Sequence, residues 1–317
     1  MGLFTDSKDF ATCYPALESV EWSMVQPSVE LTEASIIRDE VLGVTLYNAL
    51  VAAFVAANGS PVVPLPSKFQ VLLPLVKRAL AYLAAHQVMP SLNMTFTSAG
   101  AIEPVTENQQ RARQWVVSDS MAQMLSTGYG YVDQVVALLY DNISTYPEWA
   151  DAPMYAESQE SLLPRLRDAN RHMRLSTAWL LHQLRPALRS MQGEVRKIMG
   201  GTAYDALLVR LQSDALTTAD KALLDHARPA VLSGALAAEI NNLSLSVDKR
   251  GAWTESSSSS SSGSNSTRYA STDNSKDAKI RDLQQRSRSH FAALNELVNP
   301  TTSANTPPST DSSLFGF

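Results

Sequence analysis

The side chains able to do acid–base, nucleophilic or metal chemistry are present in this chain, but not at working spacings. The five histidines, His86, His172, His182, His226 and His290, are scattered, and none pairs with the lone Cys13 at a metal-ligand spacing. No H-E-x-x-H, G-x-S-x-G elbow, Walker loop or dinucleotide G-x-G-x-x-G occurs. Gly128-Tyr-Gly130 and Gly200-Gly201 come nearest to glycine-rich loops. Both fall where helices are expected to end, which predicts a capping role. Carboxylates are plentiful, but linear order alone does not pair them for proton transfer. The expectation is a chain with no catalytic, metal or cofactor site, and therefore not an enzyme.

Charge is more informative than chemistry. Residues 1–60 carry Asp6, Asp9, Glu18, Glu21, Glu30, Glu33, Asp39 and Glu40 against only Lys8 and Arg38. Residues 165–197 carry Arg165, Arg167, Arg171, Arg174, Arg185, Arg189, Arg196 and Lys197 against Asp168 and Glu194. Opposed surfaces of this kind steer association and set register more than they add affinity. They predict charge-complementary packing, within the chain or between neighbouring subunits. The other readings are an arginine run facing nucleic acid, with DNA contact secondary, and plain solvated helix faces. A second candidate contact is the closing Leu314-Phe315-Gly316-Phe317, three large apolar residues after a Ser/Thr/Pro-rich stretch. A short apolar anchor on a polar tether is a common docking device.

Composition bounds the class. A chain of 317 residues, 44% apolar, has room for two ordinary domains. A net charge of −5 gives no general reason to expect nucleic-acid or membrane affinity. One cysteine precludes an internal disulfide and points to a reducing compartment. The N-terminal residues show no basic region followed by an apolar core, so no secretory signal is expected. No apolar run reaches the ~20 residues of a membrane span.

The elements that must position these residues are written twice. Trp22, Val25, Pro27, Val29, Thr32 and Ile36 have the spacing of Leu181, Leu184, Pro186, Leu188, Met191 and Val195. Gly43-V-T-L-Tyr47-N-A-Leu50 returns as Gly200-G-T-A-Tyr204-D-A-Leu207. Leu72, Leu73, Ala79, Leu92, Met94, Phe96 and Gly100 match Leu223, Leu224, Ala230, Leu243, Leu245, Val247 and Gly251 at one offset. Blocks repeated in the same order argue for internal duplication. Steps of three and four predict helices, the first from about Glu21 to Leu42, ended by Gly43 in one copy and Gly200 in the other. Pro27 and Pro186 predict a kink or a helix start at each. Ser67-K-F-Gln70 and Thr217-T-A-Asp220 resemble capping boxes. Alternation after Leu92 and Leu243 predicts a short strand in each copy. Helices are expected over about Glu107–Ser126, Val132–Tyr140, Ser158–Met173 and Asp277–Val298.

The fold class expected is mainly α: two pseudo-repeated helical units, each with a short β-strand or hairpin. Unit one spans 1–127, a helical connector 128–174, unit two 175–298 with a flexible Ser-rich insertion at about 255–275, and a disordered tail 299–317.

F-x-x-x-Y-P…W-x-x-V-x-P, then G-x-x-L-Y-x-x-L, L-V-K-R-A-L-A-Y-L, T-S-A-G and Y-P-E-W-A-D-A-P-M-Y together resemble an uncharacterised family of Bacteroidetes bacteria, their phages and prophages. The resemblance covers most of residues 10–255. It implies a virion structural protein, a head–tail connector or neck adaptor, assembled in the host cytoplasm. Its partners would be portal, tail or neck proteins and copies of itself, with no cofactor and no membrane. The runner-up reading is a host-encoded binding module with a pseudo-dimeric groove, and the third an enzyme of unknown class.

Overall fold

A computed structural model describes residues 2–59, 63–92, 95–97, 100–102, 114–243, 245–248, 251–254 and 273–300. The chain is mainly helical. Helix α1 (Ser7–Ala11) is capped by Asp6, whose carboxylate accepts the Asp9 N–H at 2.8 Å. Helix α2 (Trp22–Thr32) continues into a π-helical stretch, Glu33–Leu42, and α3 covers Gly43–Ala57. Helix α4 (Ser67–Leu92) is followed by the short antiparallel strands β1 (Thr95–Thr97) and β2 (Gly100–Ile102), then by α5 (Gln114–Asp141).

A 3-10 turn (Pro147–Asp151), α6 (Pro153–Gln159) and α7 (Leu166–Asn170) lead to the second series. That series is α8 (Ala178–Gln183), α9 (Arg185–Met199), α10 (Gly201–Gln212) and α11 (Thr218–Glu239). Strands β3 (Leu245–Asp248) and β4 (Gly251–Thr254) pair antiparallel, and α12 (Asp273–Val298) closes the described chain.

Gly43 and Gly200 both end a helix with positive φ, +72° and +79°, where a side chain is strained. The two prolines play different parts. Pro27 lies inside α2 on its exposed side, so the Ser23 carbonyl that loses its partner faces solvent. Pro186 opens α9, where the missing N–H costs nothing.

The capping boxes also divide. Thr217 and Asp220 form one: Asp220 N–H donates to Thr217 Oγ1 at 3.1 Å and Thr217 N–H to Asp220 Oδ2 at 2.9 Å. The bidentate Arg210 guanidinium, at 2.7 and 2.8 Å, drives the Asp220 carboxyl far below the usual range. At α4 the box is absent, because Pro66 holds the position before the helix. Gln70 instead donates its amide to the Leu65 carbonyl at 2.9 Å.

Two expected breaks are not where the residues suggested. Helix α5 runs straight through Gly128 and Gly130, so neither is a cap, and the expected boundary at residue 127 falls within a helix. Gly128 is explained by packing: a Cβ there would lie 2.8 Å from Leu83 Cδ2, so glycine lets α5 approach α4 closely. Conversely, the helix expected over 158–173 is interrupted. Pro164 disfavours helical geometry in the residue before it, and Arg165 is extended (φ −121°, ψ 155°) before α7 starts.

Two apolar cores result. The first packs α4 against α5 with α2 and α3, centred on Leu46, Leu72, Leu80, Val132 and the fully buried Trp149. The Trp149 indole donates to the Val41 carbonyl at 2.8 Å, fixing the turn before Gly43. The second packs α11 against α12 and α9, around Leu184, Leu188, Leu207, Val231 and Leu294.

Among the described residues, length and composition single out one helical stretch, Trp22–Ala57, as apolar enough for a membrane span, against the expectation of none. The Gly43 turn lies within it.

Candidate interaction surface

The segment from Glu160 to Pro164, where one core hands over to the other, lacks regular structure and is largely buried. Its backbone groups must therefore find side-chain partners. Gln192 Oε1 accepts the Leu162 N–H at 2.6 Å, and its amide donates to the Glu160 carbonyl at 3.3 Å. Arg228 Nε donates to the Leu162 carbonyl at 2.8 Å. Arg185 Nη1 and Nη2 donate to the Leu163 and Pro164 carbonyls at 2.9 and 2.8 Å. The Tyr140 hydroxyl adds a bond to Pro164 at 3.2 Å. Burial lowers the pKa of both guanidiniums, yet their charge is held by these carbonyls and by nearby acids.

The other acidic and basic residues sort by what they touch. Glu33 is buried and structural: it accepts the Leu3 N–H and the Tyr47 hydroxyl, each at 2.8 Å. Burial, then the Glu33 charge, raises the Tyr47 pKa strongly. His182 bridges the two series, with Nε2 3.0 Å from Glu40 and Nδ1 3.3 Å from Glu157. Nothing in the sequence links Glu40 to a histidine so distant along the chain.

Of the predicted basic residues, Arg165 meets Asp141 at 3.3 Å and lies over the Tyr140 ring. Arg189 meets Glu160 at 3.4 Å, Arg196 meets Asp205 at 2.9 Å and Lys197 meets Glu194 at 2.7 Å. Arg185 is buried and serves the backbone. Arg167, Arg171 and Arg174 are exposed, and among the described residues none has an ion pair. Leu314, Phe315 and Phe317, like the Ser-rich insertion, lie outside the described residues. Among the described residues no group of three or more His, Cys, Asp or Glu is arranged to hold a metal.

Asp133 on α5 ties the first series to the second by accepting the Ala178 N–H at 2.7 Å, at the start of α8. Burial pushes its carboxyl up to about 6. A raised carboxyl pKa penalises the folded state once the group ionises. The penalty is full above about 6 and vanishes below the ordinary 3.8. Asp133→Asn, which keeps an acceptor for Ala178, will therefore stabilise the fold by ~2 kcal/mol at pH 7.5. The gain will fade as pH drops to 4, read as urea midpoints across that range.

Neither any curated protein sequence nor any solved structure matches the chain. A family model does match, over residues 39–159 and 195–299. The first segment begins just before Gly43 and ends with α6. The second begins just before Gly200 and ends just after α12. More than half of the chain is covered, and the chain belongs to the family of unknown function DUF6712.

Proposed function

We propose that this chain is an assembly protein of a phage or phage-like particle, a head–tail connector or neck adaptor acting by protein–protein packing. In this reading it consists of two pseudo-equivalent helical units, each with a short β element, derived from one duplicated ancestor. The observation that carries the reading is the repeated order of helix, positive-φ glycine, helix, long helix, hairpin and long helix, each series with its own core. A duplicated shape with unpaired surface charge suits a building block, whose many modest contacts act together. The virion setting rests on the family resemblance of the quoted residues.

Light scattering and negative-stain electron microscopy of the purified full-length protein at micromolar concentration test it. Discrete multimers, or incorporation into particles with portal and tail proteins, are expected. A monomer that binds no virion component overturns the proposal.

A further inference from the structure

We infer that the exposed face of α2 in one molecule docks the Arg167–Arg174 segment of a second copy, head to tail. The inference rests on the assembly reading above and names its contact surfaces.

The exposed face of α2 is mixed. Met24, Pro27 and Leu31 form an outward stripe at helical spacing, with Met24 51% and Leu31 60% exposed. This stripe lies opposite the face that α2 packs through Val25 and Val29. Glu30 borders the stripe, and Glu21 and Glu18 stand at its N-terminal end, all exposed. Glu30 accepts only a neutral amide, from Gln26 at 2.7 Å, and among the described residues no cation pairs with any of the three.

The basic surface has the converse character. Arg167, Arg171 and Arg174 recur at steps of four and three and are exposed. They follow the interlocked Glu160–Pro164 segment, so their backbone is held in place. His172 follows Arg171 directly, and burial, then the Arg228 charge, lowers its pKa against the opposing pull of Asp225. The acids nearest this cluster are fewer than its arginines: Asp168 is buried and faces Arg185 and Arg228, and Asp225 is a single exposed carboxylate.

Several opposed charges elsewhere are matched internally, as in Arg189 with Glu160, Arg196 with Asp205 or Lys68 with Glu148. The unpaired groups around α2 and α7 are opposite in sign, three exposed acids at the first and three exposed arginines at the second, and among the described residues no ion pair joins them. One surface that is acidic and another that is basic, on one molecule, cannot pair face to face with themselves. When the acidic surface of one copy takes the basic surface of the next, the contact is heterologous and closes into a ring or extends as a filament. The arginine stems can cover the Met24–Leu31 stripe while their guanidiniums reach its acidic border.

Charge reversal tests this with the full-length chain. Arg171→Glu with Arg174→Glu, and separately Glu21→Lys with Glu30→Lys, will each abolish multimers seen at low salt, leaving monomers with wild-type circular dichroism. Mixing the two variants, or combining all four changes in one chain, will restore them. Wild-type multimers will weaken at 1 M salt, where screening acts over ~3 Å. If either reversal pair alone leaves the multimer intact, or if neither mixing nor combination rescues it, these surfaces are wrong, although the assembly reading stands. If the arginine pair loses binding to a DNA duplex while multimers persist, the arginines serve nucleic acid and the inference falls. A wild-type chain that stays monomeric at every salt and concentration defeats the assembly reading as well.

Discussion

Gly43→Ala will cost the fold ~4 kcal/mol, while Gly200→Ala at the matching turn will cost only ~1 kcal/mol. Both positions share the strain of a side chain at positive φ, so that component is common to the pair. The difference is what surrounds them. A Cβ on Gly43 would lie 2.8 Å from the Ala152 Cα and 3.1 Å from its backbone nitrogen. Backbone cannot rotate away as a side-chain tip can, so the turn that carries Trp149 would have to move. Trp149 is fully buried and bonded to Val41, so the disturbance reaches the first core. At Gly200 nothing lies within 4 Å of the added carbon. Urea denaturation of the two variants side by side measures the contrast. Equal losses would show that strain alone governs both turns.

Arg185→Leu will lose ~4 kcal/mol, among the largest effects of any single basic residue in the chain. The substitution fills space but strands the buried Leu163 carbonyl and leaves that of Pro164 with only the Tyr140 hydroxyl, where Arg185, itself buried, had served both. Arg185→Lys keeps the charge, yet one ammonium cannot span both acceptors with a fork's geometry, and ~2 kcal/mol will still be lost. Arg189→Leu, one turn on, removes only exposed contacts to Glu157 and Glu160 and will stay within ~0.5 kcal/mol of wild type. Denaturant midpoints for the three variants give the ranking.

That ranking shows where reading by residue type stops. Arg185 and Arg189 are one helical turn apart and identical in kind. Only the fold decides that one faces the buried Leu162–Pro164 stretch and the other faces water. The helix-ending role of Gly43 and Gly200 was legible, because a 3.6-residue apolar period stops just before each. Thr217–Asp220 was legible for a similar reason: both box members are local.

Gly128 was not legible. Its neighbour Leu83 belongs to another helix, and a glycine kept for close approach looks in sequence like one kept for a turn. Pro66 illustrates a smaller error, since one proline before Ser67 was enough to shift the cap. The candidate surface was half visible. Its opposed charges could be counted, but which arginines remain unpaired depends on distant acids such as Asp141, Glu160 and Asp205.

The knotted stretch from Glu160 to Pro164 also has a mechanical corollary. Swinging the two cores apart would tear carbonyls from Arg185, Arg228 and Gln192 with no water ready to replace them. Such a joint has little compliance. A push on the leading half is transmitted to the trailing half as displacement and is not absorbed at a pivot. In any polymer of these molecules, curvature would then be accommodated at the seams between copies, with each copy behaving as a stiff link.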